Sequence, residues 1–307
     1  MTATAVAALV LILLGFAVRR AGIIRREDGH VLIGFVLYLA APALILQILL
    51  TQELEPALAL VPIAAWSIHL ILLGGMFLGA RAASLDRRST GSVMLAGAVG
   101  NTGFFGLPLI AASGDGFSLA AAVMYDTLGT GLITWTSTVA VASGFGGEGG
   151  GRREVFRALR SVLLLPPNWA LVAGLALNLA GVRLDDMSEF VSQPIDLLAA
   201  AVLPVVMVYA GVMLEAHGLG RIWAEVTATS IVKLGIAAVV GVGIALAFSF
   251  DDDVFRTVVI MAAMPTAMMS LVLGTRYGVR SDILAGAVVV TTLLATVTLP
   301  VIRALIS

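Results

Sequence analysis

Two polar residues directly follow helix-breaking residues inside otherwise apolar stretches of the chain. Asn101 comes after Gly100, and Thr266 comes after Pro265. Where a helix is interrupted, backbone N–H groups lose their intrahelical partners, and those at a helix N-terminus carry partial positive charge that suits an anion. The amide and the hydroxyl would add side-chain hydrogen bonds. We therefore predict a binding site for a small anion formed by these four residues together with Thr102.

Ionisable side chains inside apolar stretches are costly in a membrane and are candidates for function. Asp126 is a candidate carboxylate for proton coupling, and the alternative is a structural hydrogen bond to Thr127 or Thr130. Lys233 could attract the anion or pair with Asp126, and the alternative is that its ammonium group reaches the membrane surface. His69 is a third coupling candidate, because imidazole exchanges protons near neutral pH, and the alternative is a structural hydrogen bond to a neighbouring group.

The composition of the chain indicates that these residues lie in a membrane protein. Of its 307 residues, 60% are hydrophobic and 12% are charged, whereas soluble domains are about 45–50% apolar and about 25% charged. The net charge of −1 argues against nucleic acid as a partner. The chain has no cysteine, which excludes disulfides and thiolate metal sites. We expect no metal and no cofactor.

Charged residues and Gly/Pro clusters divide the chain into ten apolar segments, each about long enough to cross the lipid bilayer as a helix. Their approximate bounds are 2–18, 30–50, 57–80, 90–112, 117–143, 162–181, 194–214, 222–249, 255–275 and 282–305. Fourteen of the 18 Lys and Arg residues fall in one alternating set of loops and three fall in the other. The positive-inside rule then predicts a multi-pass protein of the cytoplasmic membrane with both termini outside the cell.

A Gly-rich basic linker, residues 144–161, divides the predicted spans into two halves. Residues 1–143 form the first five-helix repeat, and residues 162–307 form the second. Because each half has an odd number of spans, the second half enters the membrane inverted. The linker itself is predicted to lie on the cytoplasmic side.

A shift of 165 residues relates the two halves. It aligns "SLAAAVMYDTL" with "ILAGAVVVTTL" at six of 11 positions, and it places Gly100 and Asn101 onto Pro265 and Thr266. Inverted repeats with broken helices near the membrane midplane are typical of secondary transporters. The sequence therefore predicts an all-α fold of ten transmembrane helices, arranged as a 5+5 inverted repeat in which helices 4 and 9 are broken and cross.

Other Gly and Pro residues are also predicted to interrupt helices around this site. They are Gly103, Gly106 and Pro108 after Asn101, Pro42 in the second span and Pro204 in the seventh. Gln47 follows Pro42 in "APALILQ" and is a candidate amide for the binding pocket. For the glycines of the fourth span, the alternative is that small residues only allow close helix packing.

Two motifs resemble the auxin efflux carrier family. They are "GNTGFFGLPL", Gly100 to Leu109, and "AAMPTAMMSLVLGTRYGVRSDIL", Ala262 to Leu284. The resemblance implies a scaffold domain and a transport domain, each formed from both repeats, an elevator-like rocking motion and a homodimer. It also implies a small carboxylate substrate at the crossing of helices 4 and 9, with Asn101 at the position of the family's substrate-binding Asn.

The chain departs from the plant members of that family at the same site. Gly100 stands where they carry Pro, and Thr266 stands where the family often has Gln. Because Gly also interrupts a helix, we expect the break to persist at Gly100, whereas the smaller Thr266 argues against plant-hormone specificity. The chain resembles instead the short prokaryotic members, which implies small acids such as malonate as substrates.

Three alternatives belong to other functional classes. Bile-acid sodium symporters share the broader architecture, but residues 262–269 lack the carboxylate and amide groups with which they bind sodium. A channel or a sensor could use the same scaffold. A membrane enzyme could bind Mg²⁺ and a diphosphate through "FDDDVFR" and "RLDDMSE". The chain has no hydrolase, zinc-protease or P-loop motif, and we predict that it is not an enzyme.

Overall fold

The computed structural model describes residues 2–52, 56–114, 116–146, 166–213 and 219–306, which are mostly helical. We number the helices α1 to α12 in chain order. Their bounds are α1 Thr2–Arg20, α2 Gly29–Thr51, α3 Leu60–Ala82, α4 Arg87–Ala98, α5 Thr102–Ala111, α6 119–145, α7 Pro166–Leu179, α8 Glu189–Met213, α9 Trp223–Ala247, α10 Asp252–Ala262, α11 Met268–Tyr277 and α12 Ser281–Leu305.

Several of these helices are suited to a lipid environment. Among the described residues, α2, α3, α8, α9 and α12 are long and apolar enough to cross a membrane, and α5 is a shorter apolar helix. Leu70, Ile71 and Leu78 of α3 are at least half exposed, as expected for side chains that face lipid and not water. The chain is therefore a multi-pass membrane protein. Of the predicted linker, only residues 144–146 lie within the described residues.

Two of the predicted spans, 90–112 and 255–275, are each divided into two short helices. The first span consists of α4 and α5, which are separated by residues 99–101. The second consists of α10 and α11, which are separated by residues 263–267. The interruptions predicted at Gly100 and Pro265 are therefore present.

The interruptions predicted at the other Gly and Pro residues are absent. The helices continue through Gly103, Gly106 and Pro108 in α5, through Pro42 in α2 and through Pro204 in α8. A proline removes one backbone donor, and in α2 a π-helical turn at Val36–Ala40 ends two residues before Pro42 and accommodates that loss. The π-helical turn Thr102–Gly106 has the same place ahead of Pro108. These prolines change the hydrogen-bonding pattern locally without ending the helix.

Helix packing divides the described helices into two groups, which also contact each other where α1 packs on α12. In the first group, α1 packs on α8, and α2 packs on α7 and α8. In the second group, α3 packs on α4, α4 packs on α6 and α12, and α9 packs on α10 and α12. α11 joins the second group through α12, and α5 packs on α6. The first group consists of α1, α2, α7 and α8, and we call it the α1–α8 group. The second consists of α3 to α6 and α9 to α12, and we call it the α3–α12 group.

The helices α1 and α8 cross at two glycines that allow their backbones to touch. A Cβ atom added at Gly15 would lie 2.1 Å from the carbonyl oxygen of Val208, and one at Gly211 would lie 2.0 Å from the carbonyl oxygen of Ile12. Backbone atoms cannot move aside as the end of a flexible side chain can. Glycine is therefore required at both positions for this packing.

We expect Gly211→Ala to destabilise the protein by about 1–3 kcal/mol, the usual cost of overpacking a well-packed contact. Thermal unfolding of the purified protein in detergent would measure this as a lower Tm. Gly75→Ala in α3 is the matched control, because a Cβ at Gly75 meets no atom within 4 Å. Equal melting temperatures for the two variants would contradict close packing of α1 on α8.

Candidate functional site

The two helix interruptions lie side by side in the interior, and we call residues 99–101 and 263–267 the crossover. An isolated antiparallel bridge joins Gly100 to Thr266. Two backbone hydrogen bonds flank it, from Asn101 N–H to the Pro265 carbonyl at 2.7 Å and from Ala267 N–H to the Val99 carbonyl at 3.0 Å. This pairing satisfies backbone groups that the interruptions release, as their burial requires.

The outer ends of α4 and α10 are capped by aspartates, so their C-termini point into the crossover. The Asp86 carboxylate accepts hydrogen bonds from the N–H groups of Arg88 and Ser89 at 2.9 and 3.1 Å. The Ser89 hydroxyl also donates to it, and these donors hold the pKa of Asp86 below its ordinary value. Asp251 caps α10 in the same way. Helices α5 and α11 begin at the crossover, which thus collects two helix C-termini and two helix N-termini.

Side chains from neighbouring helices bind the carbonyl groups at the two C-termini. His69 Nδ1 of α3 contacts the Ala98 carbonyl at the end of α4 at 3.2 Å. Lys233 Nζ of α9 donates to the Ala262 carbonyl at the end of α10 at 2.6 Å. Both side chains are at least 97% buried. Because a cation is favourable at a helix C-terminus, Lys233 is well placed there.

A cavity of about 410 Å³, which we call the central cavity, lies beside the crossover. Its polar lining consists of Asn101, Thr102, Asp126, Thr127, Thr130, Thr134, Asn168 and Tyr209. Its apolar lining includes Ile33, Leu37, Leu44, Ile45, Phe104, Leu107, Met268, Met269 and Val272. These residues come from α2, α7 and α8 on one side and from α5, α6 and α11 on the other. The central cavity therefore lies between the two helix groups.

The N-termini of α5 and α11 open into the central cavity. The first N–H groups of a helix have no intrahelical partner. The residues that carry them line the cavity at Thr102, Gly103 and Phe104 of α5 and at Met268 and Met269 of α11. Both helix ends present partial positive charge to the same space.

Asn101 is the polar residue best placed to bind a ligand. It is 4% exposed and lies at the N-cap of α5, yet its side chain does not cap the helix. Asparagine is among the strongest N-cap residues, so a non-capping side chain here is unusual. Within the described part of the chain its amide has no hydrogen-bond partner. A buried amide on a cavity wall is thus available to a ligand.

Asp126 lies directly beside the N-terminal turn of α5. The Thr102 hydroxyl donates to its carboxylate at 2.6 Å, and a Cβ at Gly103 would lie 2.9 Å from both carboxylate oxygens. The predicted structural partners, Thr127 and Thr130, are not the ones it uses, and the Thr127 hydroxyl donates to the carbonyl of its own helix at Val123. Gly103 is required for this close approach, which explains its place within α5.

Lys233 and Asp126 do not form the ion pair that the sequence allowed, since each has another partner in the described residues. Thr266 does not line the central cavity. Its hydroxyl donates to the Ala96 carbonyl at 2.8 Å, and its N–H donates to the Thr291 hydroxyl at 3.0 Å. Thr266 and the adjacent Pro265 therefore stabilise the crossover through internal hydrogen bonds and are not among the residues that line the cavity.

Gln47 lies apart from the other predicted site residues. Its amide donates to the Asp196 carboxylate at 2.6 Å, and Gln47 is not among the residues that line the central cavity. The structure thus brings together Gly100, Asn101, Thr102 and Asp126 and leaves Gln47 outside.

Two further polar residues of the central cavity, Thr134 and Asn168, were not predicted. Thr134 continues a row formed by Asp126, Thr127 and Thr130, whose spacings of three and four residues place them on one helix face. This spacing was visible in the sequence. Asn168 follows "LLLPP" at the start of α7, where only the fold shows that it lines the cavity.

Two of the acidic residues considered for Mg²⁺ have other roles. Asp251 caps α10, and Asp253 pairs with Arg256 at 2.7 Å. Among the described residues, no group of three or more His, Cys, Asp or Glu side chains could hold a metal ion.

The chain is similar in sequence to known membrane transporters. A family model described as a membrane transport protein matches residues 1–146 and 152–303. An uncharacterized transporter of Methanothermobacter thermautotrophicus is 29% identical over 301 residues, which cover 97% of this chain and 96% of the relative. A second uncharacterized transporter, from Methanocaldococcus jannaschii, is 26% identical over 291 residues and 92% of each chain. A Rhizobium meliloti protein named "Putative malonate transporter" is 28% identical over 279 residues, 86% of this chain and 82% of its own.

The family match covers both motifs at the crossover and nearly the whole chain, and it confirms the resemblance to auxin efflux carriers. The family comprises membrane transporters and not enzymes. The chain belongs to the membrane transport protein family.

Proposed function

We propose that the protein is a secondary carrier that moves a small organic anion across the cytoplasmic membrane and binds it at the crossover. The observation that carries this proposal is the buried Asn101 amide, which lines the central cavity and neither caps its helix nor bonds another described residue. A carboxylate accepts hydrogen bonds from an amide and from helix N-terminal N–H groups alike. Asn101, α5 and α11 supply both kinds of donor to one space.

We propose that ten spans form a 5+5 inverted repeat in which α4–α5 and α10–α11 are the broken helices 4 and 9. The shift of 165 residues that relates the halves pairs Asp126 with Thr291. Asp126 accepts a hydrogen bond from Thr102, just after the first interruption, and Thr291 accepts one from Thr266, in the second. Both paired positions thus accept a hydrogen bond at the interruption of their own half, which supports the repeat, although the two donors, the Thr102 hydroxyl and the Thr266 N–H, are one position apart in the shifted alignment.

An elevator-like movement of one helix group against the other is the mechanism we propose for transport. The α1–α8 group would be the scaffold, and the α3–α12 group, which holds the crossover, would carry the anion. The position of the central cavity between the groups supports this assignment, because a shift of one group would change the side to which the cavity opens. The family resemblance adds the proposal that the carrier is a homodimer.

Asp126 is the residue that we propose couples transport to protons. Its carboxylate already occupies part of the α5 N-terminus through Thr102. A substrate carboxylate at the same helix end would be repelled by it, and proton uptake by Asp126 removes that repulsion. Anion and proton would then move together.

The charge of the substrate can be inferred from the cavity lining. Lys, Arg and His are absent from the described residues that line the central cavity, whereas Leu37, Leu44 and Ile45 form an apolar wall. One carboxylate would meet the donors at the crossover, and a second would meet apolar, hydroxyl and amide groups of the described lining but no cation to balance its charge. The relative named for malonate supports a small acid, and we propose that such an acid is bound as a monoanion.

Counterflow in proteoliposomes tests this function. Vesicles loaded with unlabelled malonate or propionate should accumulate the same labelled acid transiently, and Na⁺ should be replaceable by choline without loss. A channel would equilibrate the label without accumulation, and a requirement for Na⁺ would favour a sodium symporter. Absence of counterflow with every small acid offered would reject the proposed function.

Monomethyl malonate and malonate differ by a single negative charge and form a matched pair of competitors. We expect the monoester to inhibit counterflow at least as strongly as malonate at pH 7, because burying an unpaired second charge is costly. The measurement is the concentration of each that halves the initial rate. Much stronger inhibition by malonate would contradict binding as a monoanion.

A further inference from the structure

The central cavity lacks the cation expected for anion binding. Its described lining contains one acidic side chain, Asp126, and no basic one. The crossover also receives the C-termini of α4 and α10, whose partial negative charge opposes an anion. The two helix N-termini must therefore act against three sources of negative potential. Basic groups just outside the cavity are therefore the candidates that could balance this negative potential.

A second, smaller cavity of about 10 Å³ lies on the other side of the crossover, and we call it the rear cavity. Lys233 and His69 line it together with Tyr125. Lys233 is 2% exposed, and its ammonium group donates to the Ala262 carbonyl at 2.6 Å. A buried ammonium is thus fixed at the C-terminus of α10.

The crossover backbone at Gly100 lies between this ammonium group and the central cavity. Gly100 and Thr102 line both cavities. A Cβ atom at Gly100 would lie 3.2 Å from Lys233 Nζ and 3.3 Å from its Cε. The ammonium therefore lies directly behind the residue that precedes Asn101, and the absence of a side chain at Gly100 allows it to come this close.

We propose that Lys233 is an electrostatic positioning residue for the transported anion. Its ammonium group offsets the negative end of α10 and attracts the anion through the thin backbone at Gly100, without contacting it. The inference rests on the proposed function, since it assumes an anion on the cavity side of the crossover. It also accounts for glycine at position 100, where a larger residue would push the ammonium group away.

The test measures counterflow kinetics of labelled malonate, or of labelled propionate where malonate does not exchange, with full-length protein in proteoliposomes. Lys233→Met removes both the charge and the hydrogen bond, Lys233→Gln keeps a donor for the Ala262 carbonyl, and Lys233→Arg keeps the charge. Ser230→Ala is the matched control, because Ser230 is a buried residue of α9 that bonds Val226 of its own helix and lines neither cavity.

We expect KM to rise about tenfold in Lys233→Gln and in Lys233→Met, because each variant removes one unit of positive charge close to the bound anion. The maximal rate should change by less than about threefold, and Lys233→Arg should restore KM to within about threefold of wild type. A purely structural role would instead lower the melting temperature and the maximal rate and leave KM unchanged.

Wild-type KM in Lys233→Gln would overturn the inference, because it would show that the charge has no effect, while the proposed function would stand. If Lys233→Met does not fold, Lys233→Gln and Lys233→Arg decide the question by themselves. A wild-type protein that shows no saturable exchange would reject the proposed function and this inference together. The two failures are therefore distinguishable.

Discussion

Asn101→Ala is expected to lower Vmax/KM for carboxylate counterflow by about 10- to 100-fold. The substitution removes the one buried amide of the central cavity that has no partner among the described residues. A hydrogen bond to a charged group contributes about 1.5–3 kcal/mol, and each 1.4 kcal/mol corresponds to about a factor of ten. Because the Asn101 side chain does not cap α5, we expect the variant to keep the melting temperature of the wild type.

Asn178→Ala is the matched control for this prediction. Asn178 is another buried asparagine, but its amide donates to the carbonyls of Leu49 and Gln52 at 2.5 and 2.8 Å, away from the central cavity. Its loss should lower the melting temperature and leave KM unchanged. The prediction fails if Asn101→Ala and Asn178→Ala have the same effect on KM, or if Asn101→Ala exchanges the acid like the wild type.

Asp126→Asn is expected to abolish accumulation driven by a pH gradient while counterflow continues. The amide imitates the protonated carboxyl and can still accept a hydrogen bond from Thr102, so the anion should bind without repulsion. It cannot release a proton, so transport should lose its link to the gradient. Uptake of labelled acid into vesicles with an imposed pH gradient, compared with counterflow at equal pH, measures both effects.

The control is Asp196→Asn in α8, which makes the same chemical change at a carboxylate bonded to Gln47 and outside the central cavity. It should leave both assays unchanged. Gradient-driven accumulation that persists in Asp126→Asn would exclude this carboxylate as the coupling group. Loss of counterflow as well would make Asp126 a residue required for binding or movement.

The sequence was informative where a local feature determined the structure. Glycine and proline both weaken a helix, which predicted the interruptions at Gly100 and Pro265. A polar residue directly after each indicated that the interruption serves a site. The same local rule was wrong for Pro42 and Pro204, because α2 and α8 continue through them. Whether a proline ends a helix depends on packing and on π-helical turns such as Val36–Ala40, which residue types alone do not reveal.

The contacts of the site depended on the fold in a way that the sequence could not specify. Thr266 was predicted as a ligand-binding residue, yet its hydroxyl bonds a backbone carbonyl of α4. The partner of Lys233 is also a backbone carbonyl, at Ala262. Carbonyl groups occur at every residue and leave no signal in the sequence. Asp126 was recognised because a carboxylate in an apolar span is rare, whereas its contact with Thr102 required the helices to be in place.

The location of the bound anion is the most direct test of the crossover site. Crystals of the wild-type protein soaked with 3-bromopropionate would locate the bromine by anomalous scattering and the carboxylate by density. We expect the carboxylate within hydrogen-bonding distance of the Asn101 amide and of the N-termini of α5 and α11, with the bromine toward Leu44 and Ile45. Bromine bound elsewhere, with none in the central cavity, would contradict anion binding at the crossover.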